Sequence, residues 1–131
     1  MIVVDASVLA PVVADGGPDG HRFRLRLRGE AVAVPDLARI EVISVIRRQV
    51  HAGALDESQA TRAVEDLLDL PLVVYPTAPL LRRTWALHRN VTAFDACYVA
   101  LAELLDCQLL TADARLSRAP GIRCSITLVP H

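Results

Sequence analysis

Lysine is absent from this sequence: all 14 basic residues are arginine. The bias is of the kind a GC-rich genome produces, and it excludes any mechanism that needs a catalytic lysine. Aromatic residues make up only 4% of the chain, so an exposed platform for stacking bases is not expected. The three cysteines, Cys97, Cys107 and Cys124, are odd in number and match no CxxC or zinc-ligand spacing. The histidines His21, His51, His88 and His131 are scattered, which argues against a zinc site. No glycine-rich phosphate loop of the GxGxxG or P-loop type occurs. No apolar run approaches the roughly 18 residues of a membrane span, because Asp, Glu or Arg interrupts each one. Asp5 breaks the first apolar run and no basic segment precedes it, so no signal peptide is expected. The chain is therefore expected to start at Met1 and to act in the cytoplasm, away from membranes.

What is present is a chain of 131 residues, 53% hydrophobic and 22% charged, with a net charge of -1. That length and composition fit one globular domain, residues 1–131, and the near-neutral charge does not announce nucleic acid. "MIVVDAS" has the continuous β-branched character of a strand buried on both faces, with a helix expected from about Val8 to Ala14. "HRFRLRLRG" is ambiguous. Its strict alternation suggests a strand, but Phe23 and Leu27 also share a helical face, and a helix is expected because "EAVAVP" makes the better strand. "PDLARIEVISVIRRQVHAG" is expected to be a helix capped by Asp36 and stopped by Gly53. A further helix over "LDESQATRAVEDLLDLP" precedes the buried strand "LVVYP". "APLLRRTWALHRN" and "TAFDACYVALAELLD" are helical, "CQLLTAD" and "SITLVP" are strands, and "ARLSRA" is a short helical turn. Strands alternating with helices specify an α/β fold with a five-stranded parallel sheet.

In such a sheet functional groups collect at the carboxyl ends of strands, where the chain order reverses. Asp5 and Asp113 each follow a strand, although an Asp there also commonly caps the next helix. Glu41 falls on an apolar stripe between Leu37 and Val45, where a charge costs on the order of several kcal/mol unless it is paired or binds a cation. Arg39 or Arg48 is the ordinary partner. Asp95 can complete a cap with Thr92, yet it shares a face with Val99 and Ala102 that points inward. If these four acids converge, their repulsion calls for partial protonation or a bound cation. Oxygen ligands alone select a hard ion, Mg²⁺ or Mn²⁺. A phospho-acceptor receiver domain is excluded by the missing lysine. A haloacid-dehalogenase-like phosphotransferase is excluded by the Asp5-Ala6-Ser7 order.

The segments "VVDASVL", "LARIEVISVIRR" and "TAFDACYVALAELLDCQLLTADARL" together resemble a PIN domain of the VapC type, the toxin ribonucleases of toxin–antitoxin pairs. The resemblance spans essentially the whole chain, and "HRFRLRLRG" is its least typical part. It implies a three-layer α/β/α sandwich with the first and fourth strands adjacent. It also implies that Asp5, Glu41, Asp95 and Asp113 are the metal-binding and catalytic acids, with Ser7 and Thr111 as supporting polar residues. The implied activity is Mg²⁺- or Mn²⁺-dependent endonucleolytic cleavage of RNA by water, leaving 5′-phosphate and 3′-hydroxyl ends. The implied partners are RNA, a cognate antitoxin and a second copy of the chain. Arg115 and Arg118, close behind Asp113, are the favoured phosphate contacts, ahead of Arg22 to Arg28 and of Arg82, Arg83 and Arg89. The apolar helices over 55–69 and 80–89 are candidate docking surfaces. The alternatives are a PIN nuclease with a housekeeping role on RNA or DNA, and a non-catalytic PIN-like module that binds RNA or protein. The complete set of acids counts against the last.

Overall fold

The computed structural model describes residues 1–130; His131 lies outside the described residues. The chain runs β1 (Ile2–Val4), α1 (Ala6–Ala14), α2 (Pro18–Leu27), β2 (Val32–Pro35), α3 (Ala38–His51), α4 (Glu57–Asp69) and β3 (Leu72–Tyr75). A 3-10 turn (Ala78–Leu80) leads into α5 (Leu81–Ala86), α6 (Ala93–Leu104), β4 (Leu109–Thr111), α7 (Ala114–Ser117) and β5 (Ile126–Leu128). The five strands form one all-parallel sheet in the order β3-β2-β1-β4-β5. From the central β1 the chain builds outward through β2 and β3, then returns to place β4 on the other side. The reversal therefore lies between β1 and β4, which are paired through Val3 with Leu109 and Val4 with Leu110.

Burial follows that order. β1, β2 and β4 are wholly buried, as their unbroken apolar runs require when helices cover both faces. Helices α2, α3 and α4 pack against α1, while α5 packs on α6 and α6 lies against β1, β2 and β4. The strand "LVVYP" departs from the expectation of burial. As β3 it is an edge, with Val73 and Val74 left 40% and 39% exposed.

Local chemistry explains most boundaries. Asp5 caps α1 by accepting from the Ser7 amide, so the helix starts at Ala6 rather than Val8. Asp56 and Gln59 close a reciprocal capping box on α4. Asp36 does not cap α3. Its amide bonds the Tyr75 carbonyl and prolongs the β2–β3 ladder, and α3 opens on Leu37 without a side-chain cap. "HRFRLRLRG" falls in a helix despite its two-residue alternation. Pro18 presets the first turn, Asp19 sits at the positive helix end, and the sheet positions are filled by β2. Phe23 is fully buried, while Leu25 is turned toward solvent. Gly53 takes φ of 79° just beyond α3 and ends it as expected.

Gly20 fixes how closely α2 meets the end of α1. A Cβ there would lie 2.0 Å from the Asp15 carbonyl oxygen, a backbone atom that cannot swing away. Gly16, four residues earlier, has open space around its Cα. Gly20→Ala is expected to destabilise the fold by about 2 kcal/mol or more, whereas Gly16→Ala should stay within about 0.5 kcal/mol, measured by urea denaturation.

Candidate active site

The carboxyl ends of β1 and β4 carry one connected hydrogen-bond network. Asp5, 4% exposed, follows β1 directly. Its Oδ1 accepts from the Ser7 hydroxyl at 2.5 Å and the Ser7 amide at 3.1 Å, and its Oδ2 accepts from the Thr111 hydroxyl at 2.6 Å. Ser7 Oγ in turn accepts from the Ala112 amide at 2.9 Å, and Thr111 Oγ1 accepts from the Asp113 amide at 3.1 Å. Two hydroxyls thus lock the β1–α1 junction to the β4–α7 junction and fix both oxygens of one carboxylate. Asp113 caps α7 through its Oδ1, which accepts from the Arg115 amide at 2.9 Å.

Asp95 stands in the first turn of α6, whose cap is Thr92. It is the electrostatic centre of the group: its charge is felt at Asp5 and at Glu41, and it feels that of Asp113. Burial, reinforced by Asp95, pushes the Asp5 carboxyl up to about 6 against the pull of the Ser7 and Thr111 hydrogen bonds. Asp95 itself is raised, by burial first; the Thr92 hydroxyl opposes the rise, Asp113 adds to it and Arg115 offsets it in part. Glu41 is raised chiefly by burial, with Tyr98 opposing, Asp95 adding to the rise and Arg48 exerting the smallest pull.

Among the described residues no arginine forms an ion pair with Asp5, Glu41 or Asp95, so neither Arg39 nor Arg48 is the partner that burial of Glu41 called for. Of the four acids only Asp113 is in an ion pair, with Arg115 Nε at 3.7 Å, and that arginine is largely in solvent. Glu41 Oε1 is buried without a hydrogen-bond partner, as is the hydroxyl of Tyr98 one turn along α6 from Asp95. The two residues are close enough to bias each other's protonation, and the Tyr98 phenol is held firmly neutral by burial and by Glu41. Tyr98 is not among the residues that the sequence marks for the site. Its spacing of three from Asp95 on a helix is the one signal that points to it.

All four sequence-predicted acids, with Ser7 and Thr111, therefore border the end of the sheet where β1 and β4 meet. Their approach is loose rather than tight: among the described residues no three His, Cys, Asp or Glu side chains stand close enough to grip one ion together. A cavity of about 200 Å³ opens beside Asp95 and Asp113, with Asn90, Thr92 and Arg115 also on its wall. Arg118 is exposed at the end of α7 and does not line that cavity. Several other candidate arginines are engaged elsewhere. Arg83 forks onto Glu103 and reaches the Gly121 carbonyl, and Arg24 bonds the carbonyls of Val12 and Asp15. The scarcity of aromatics does not keep them inside, since Trp85 and Phe94 are 69% and 57% exposed.

Comparison with known proteins agrees with this architecture. The family model described as PIN domain matches residues 2–122. Ribonuclease VapC9 of Mycobacterium tuberculosis is 40% identical over 132 residues, covering 100% of both chains. Ribonuclease VapC1 of the same organism is 41% identical over 128 residues, covering 97% of this chain and 96% of that protein. Among solved structures, a toxin–antitoxin complex from Klebsiella pneumoniae superposes with a TM-score of 0.70 at 17% identity, covering 100% of each chain, a likeness of fold. On the family match and these full-length relatives, the chain belongs to the PIN-domain family and, within it, to the VapC group.

Proposed function

We propose that this protein is a Mg²⁺- or Mn²⁺-dependent endoribonuclease, the toxin of a toxin–antitoxin pair. The observation that carries the reading is the set of acids without matching cations. Asp5, Glu41, Asp95 and Asp113 gather at the switch point of the sheet, three of them with raised pKa values and one with an orphaned buried oxygen. Such repulsion is relieved by a divalent cation. The residues fit one: all donors are hard oxygens, and Glu41 Oε1 is buried without a well-formed hydrogen bond, the Tyr98 hydroxyl being the one group poised to donate to that carboxylate. Because no three acids close on one point, the fit is to an ion that keeps much of its water and takes one or two carboxylates, the habit of Mg²⁺. The names of the VapC relatives, ribonucleases all, supply the substrate class, and the Klebsiella complex supplies the kind of partner.

Asp5, Glu41 and Asp95 would hold the ion, directly or through water, and it would supply there polarisation of the scissile phosphate and activation of water at neutral pH. The protein's own residues do the rest. Asp5, clamped by Ser7 and Thr111, presents a carboxylate of fixed orientation, and Glu41 and Asp95 face it from two helices. Asp113 stands at the mouth of the cavity, where its carboxylate orients the attacking water. Arg115 beside it is placed to take a neighbouring phosphate, with Arg118 a more distant contact. In-line attack at phosphorus leaves 5′-phosphate and 3′-hydroxyl ends.

Two surfaces suit the proposed protein partners. A largely apolar groove of about 520 Å³, between α1, α2 and the end of α4, carries Arg24 and Arg28 together with Glu30, Asp66 and Asp69 on its rim and fits a chiefly apolar antitoxin segment. Leu81 and Trp85 on α5, with Phe94 at the start of α6, are apolar and exposed, and fit self-association into a homodimer. Trp85→Glu should then shift the protein from dimer to monomer in size-exclusion chromatography with light scattering, with the circular dichroism spectrum unchanged.

Asp95→Asn is expected to lower Mn²⁺-dependent cleavage of total RNA by about 100-fold or more, since it removes a site carboxylate. Because Asp95 is destabilised in its charged form, the same variant should melt at or above the wild-type temperature at pH 7. An unfolded variant would instead make Asp95 a structural residue.

The raised carboxyls also set a pH dependence. A carboxyl whose folded pKa exceeds its unfolded value binds more protons when folded, so metal-free stability falls as pH rises between the two values. For Asp5 that window runs from 3.8 to about 6, and the loss amounts to about 3 kcal/mol. Differential scanning fluorimetry should show the metal-free protein melting lower at pH 7 than at pH 5. Added Mn²⁺ should raise the melting temperature at pH 7 and have little effect at pH 5, where protons occupy the site.

A further inference from the structure

The opposite end of the sheet carries a feature that the nuclease reading does not use. Cys107 precedes β4 by two residues and Cys124 precedes β5 by two residues. β4 and β5 are parallel neighbours with Leu109 facing Ile126, and the Leu109 amide bonds the Ser125 carbonyl at 2.9 Å. Both cysteines lie just beyond the paired residues: continuing the two strands back by two residues brings the backbone at Cys107 beside that at Cys124, while the Cys107 thiol lies toward the Val3 backbone on the β1 side and must turn about its Cα–Cβ bond to reach Cys124. Adjacent strands run about 4.8 Å apart, inside the range of Cα separations that a disulfide spans. Both cysteines line the same open cavity of about 450 Å³, both are partly exposed, and both are free thiols. Cys97 is apart from them, buried within α6.

We propose that Cys107 and Cys124 are a dithiol modification site that closes to an intramolecular disulfide when a hydroperoxide enters the cavity. The sulfur of Cys107 attacks the peroxide oxygen and the O–O bond breaks, giving a sulfenic acid and the alcohol, or water where the oxidant is hydrogen peroxide. The Cys124 sulfur then displaces the sulfenic oxygen as water, so two thiols are oxidised and one peroxide is reduced. Burial raises both thiols, Cys124 to about 11, and Cys107 adds to the rise at Cys124. The reaction is accordingly slow at neutral pH and faster in alkali. A leaving thiol of high pKa also departs slowly, so the bond, once made, resists reduction by exchange.

The position gives the bond a consequence. The segment between the two cysteines contains β4, Thr111, Asp113, α7 and Arg115, and so one of the four acids of the candidate active site. A disulfide here is a clasp around that segment, at the end of the sheet away from the acids. It restricts the unfolded chain and leaves the network at Asp5 untouched.

The test is peptide mapping of the full-length protein after hydrogen peroxide treatment at pH 8.5, with free thiols alkylated under denaturing conditions. Trypsin leaves Cys97 and Cys107 on one peptide, because no arginine lies between Asn90 and Ala114, so Cys97→Ser is mapped beside the wild type. Both should yield the peptide containing Cys107 joined to the peptide containing Cys124. Their melting temperature should rise by roughly 5–10 °C and fall back with dithiothreitol. Cys107→Ser and Cys124→Ser should show neither change. Three alkylated cysteines after oxidation, a bond to Cys97, or cross-links only between chains would each overturn the proposal.

Discussion

Both oxygens of the Asp5 carboxylate are held by hydroxyls that come from different parts of the chain, Ser7 from α1 and Thr111 from the end of β4. This contact does two things at once. It ties the first strand to the fourth at the sheet's reversal point, and it holds a buried carboxylate in one orientation. Were either hydroxyl missing, Asp5 would be a buried acid with fewer hydrogen bonds, and burial would keep it protonated. The capping of α1, the course of the β4–α7 turn and the placement of Asp113 all follow from the same few atoms.

Around that fixed group the protein tolerates unfavourable electrostatics. Asp95 repels Asp5 and Glu41 and is repelled by Asp113, and no lysine exists to relieve the strain. Of the nearby arginines, Arg48 exerts only a weak pull on Glu41 and the largely exposed Arg115 stands beside Asp113. A fold that needed only stability would lose these acids or pair them. That Asp5, Glu41 and Asp95 have no ion pair is the physical argument for a cation-dependent chemistry, and it is why the proposed metal role rests on charge and burial rather than on a preformed cage.

Elements with one dominant local signal are legible in the residues alone. β1, β2 and β4 are short apolar runs that only a doubly covered sheet can accommodate, and Asp56 with Gln59 spells out a helix start. Expectation and structure part where a local pattern has two readings or where neighbours decide. Asp36 has the chemistry of a cap, but its amide is claimed by Tyr75 across the sheet. "LVVYP" has a core strand's composition, and only its place at the sheet edge exposes Val73 and Val74. Tyr98 carries little signal of its own, because an aromatic on an apolar helix face reads as core until the orphaned oxygen of Glu41 is seen with it.

By itself the sequence determined the alternation of strands and helices and the α/β class, and it marked four acids as candidates, because strand ends and helix faces are set by spacing along the chain. The resemblance to PIN domains rested on the same segments. Tertiary structure decided which of those acids share a neighbourhood and which hydroxyls hold Asp5. It also showed that, among the described residues, Arg39 and Arg48 form no ion pair with Glu41, and that Cys107 and Cys124 border one cavity at the other end of β4 and β5. These are relations set by how the whole chain packs. They depend on strand order and register, which hydrophobic burial of the entire domain selects and no local pattern encodes.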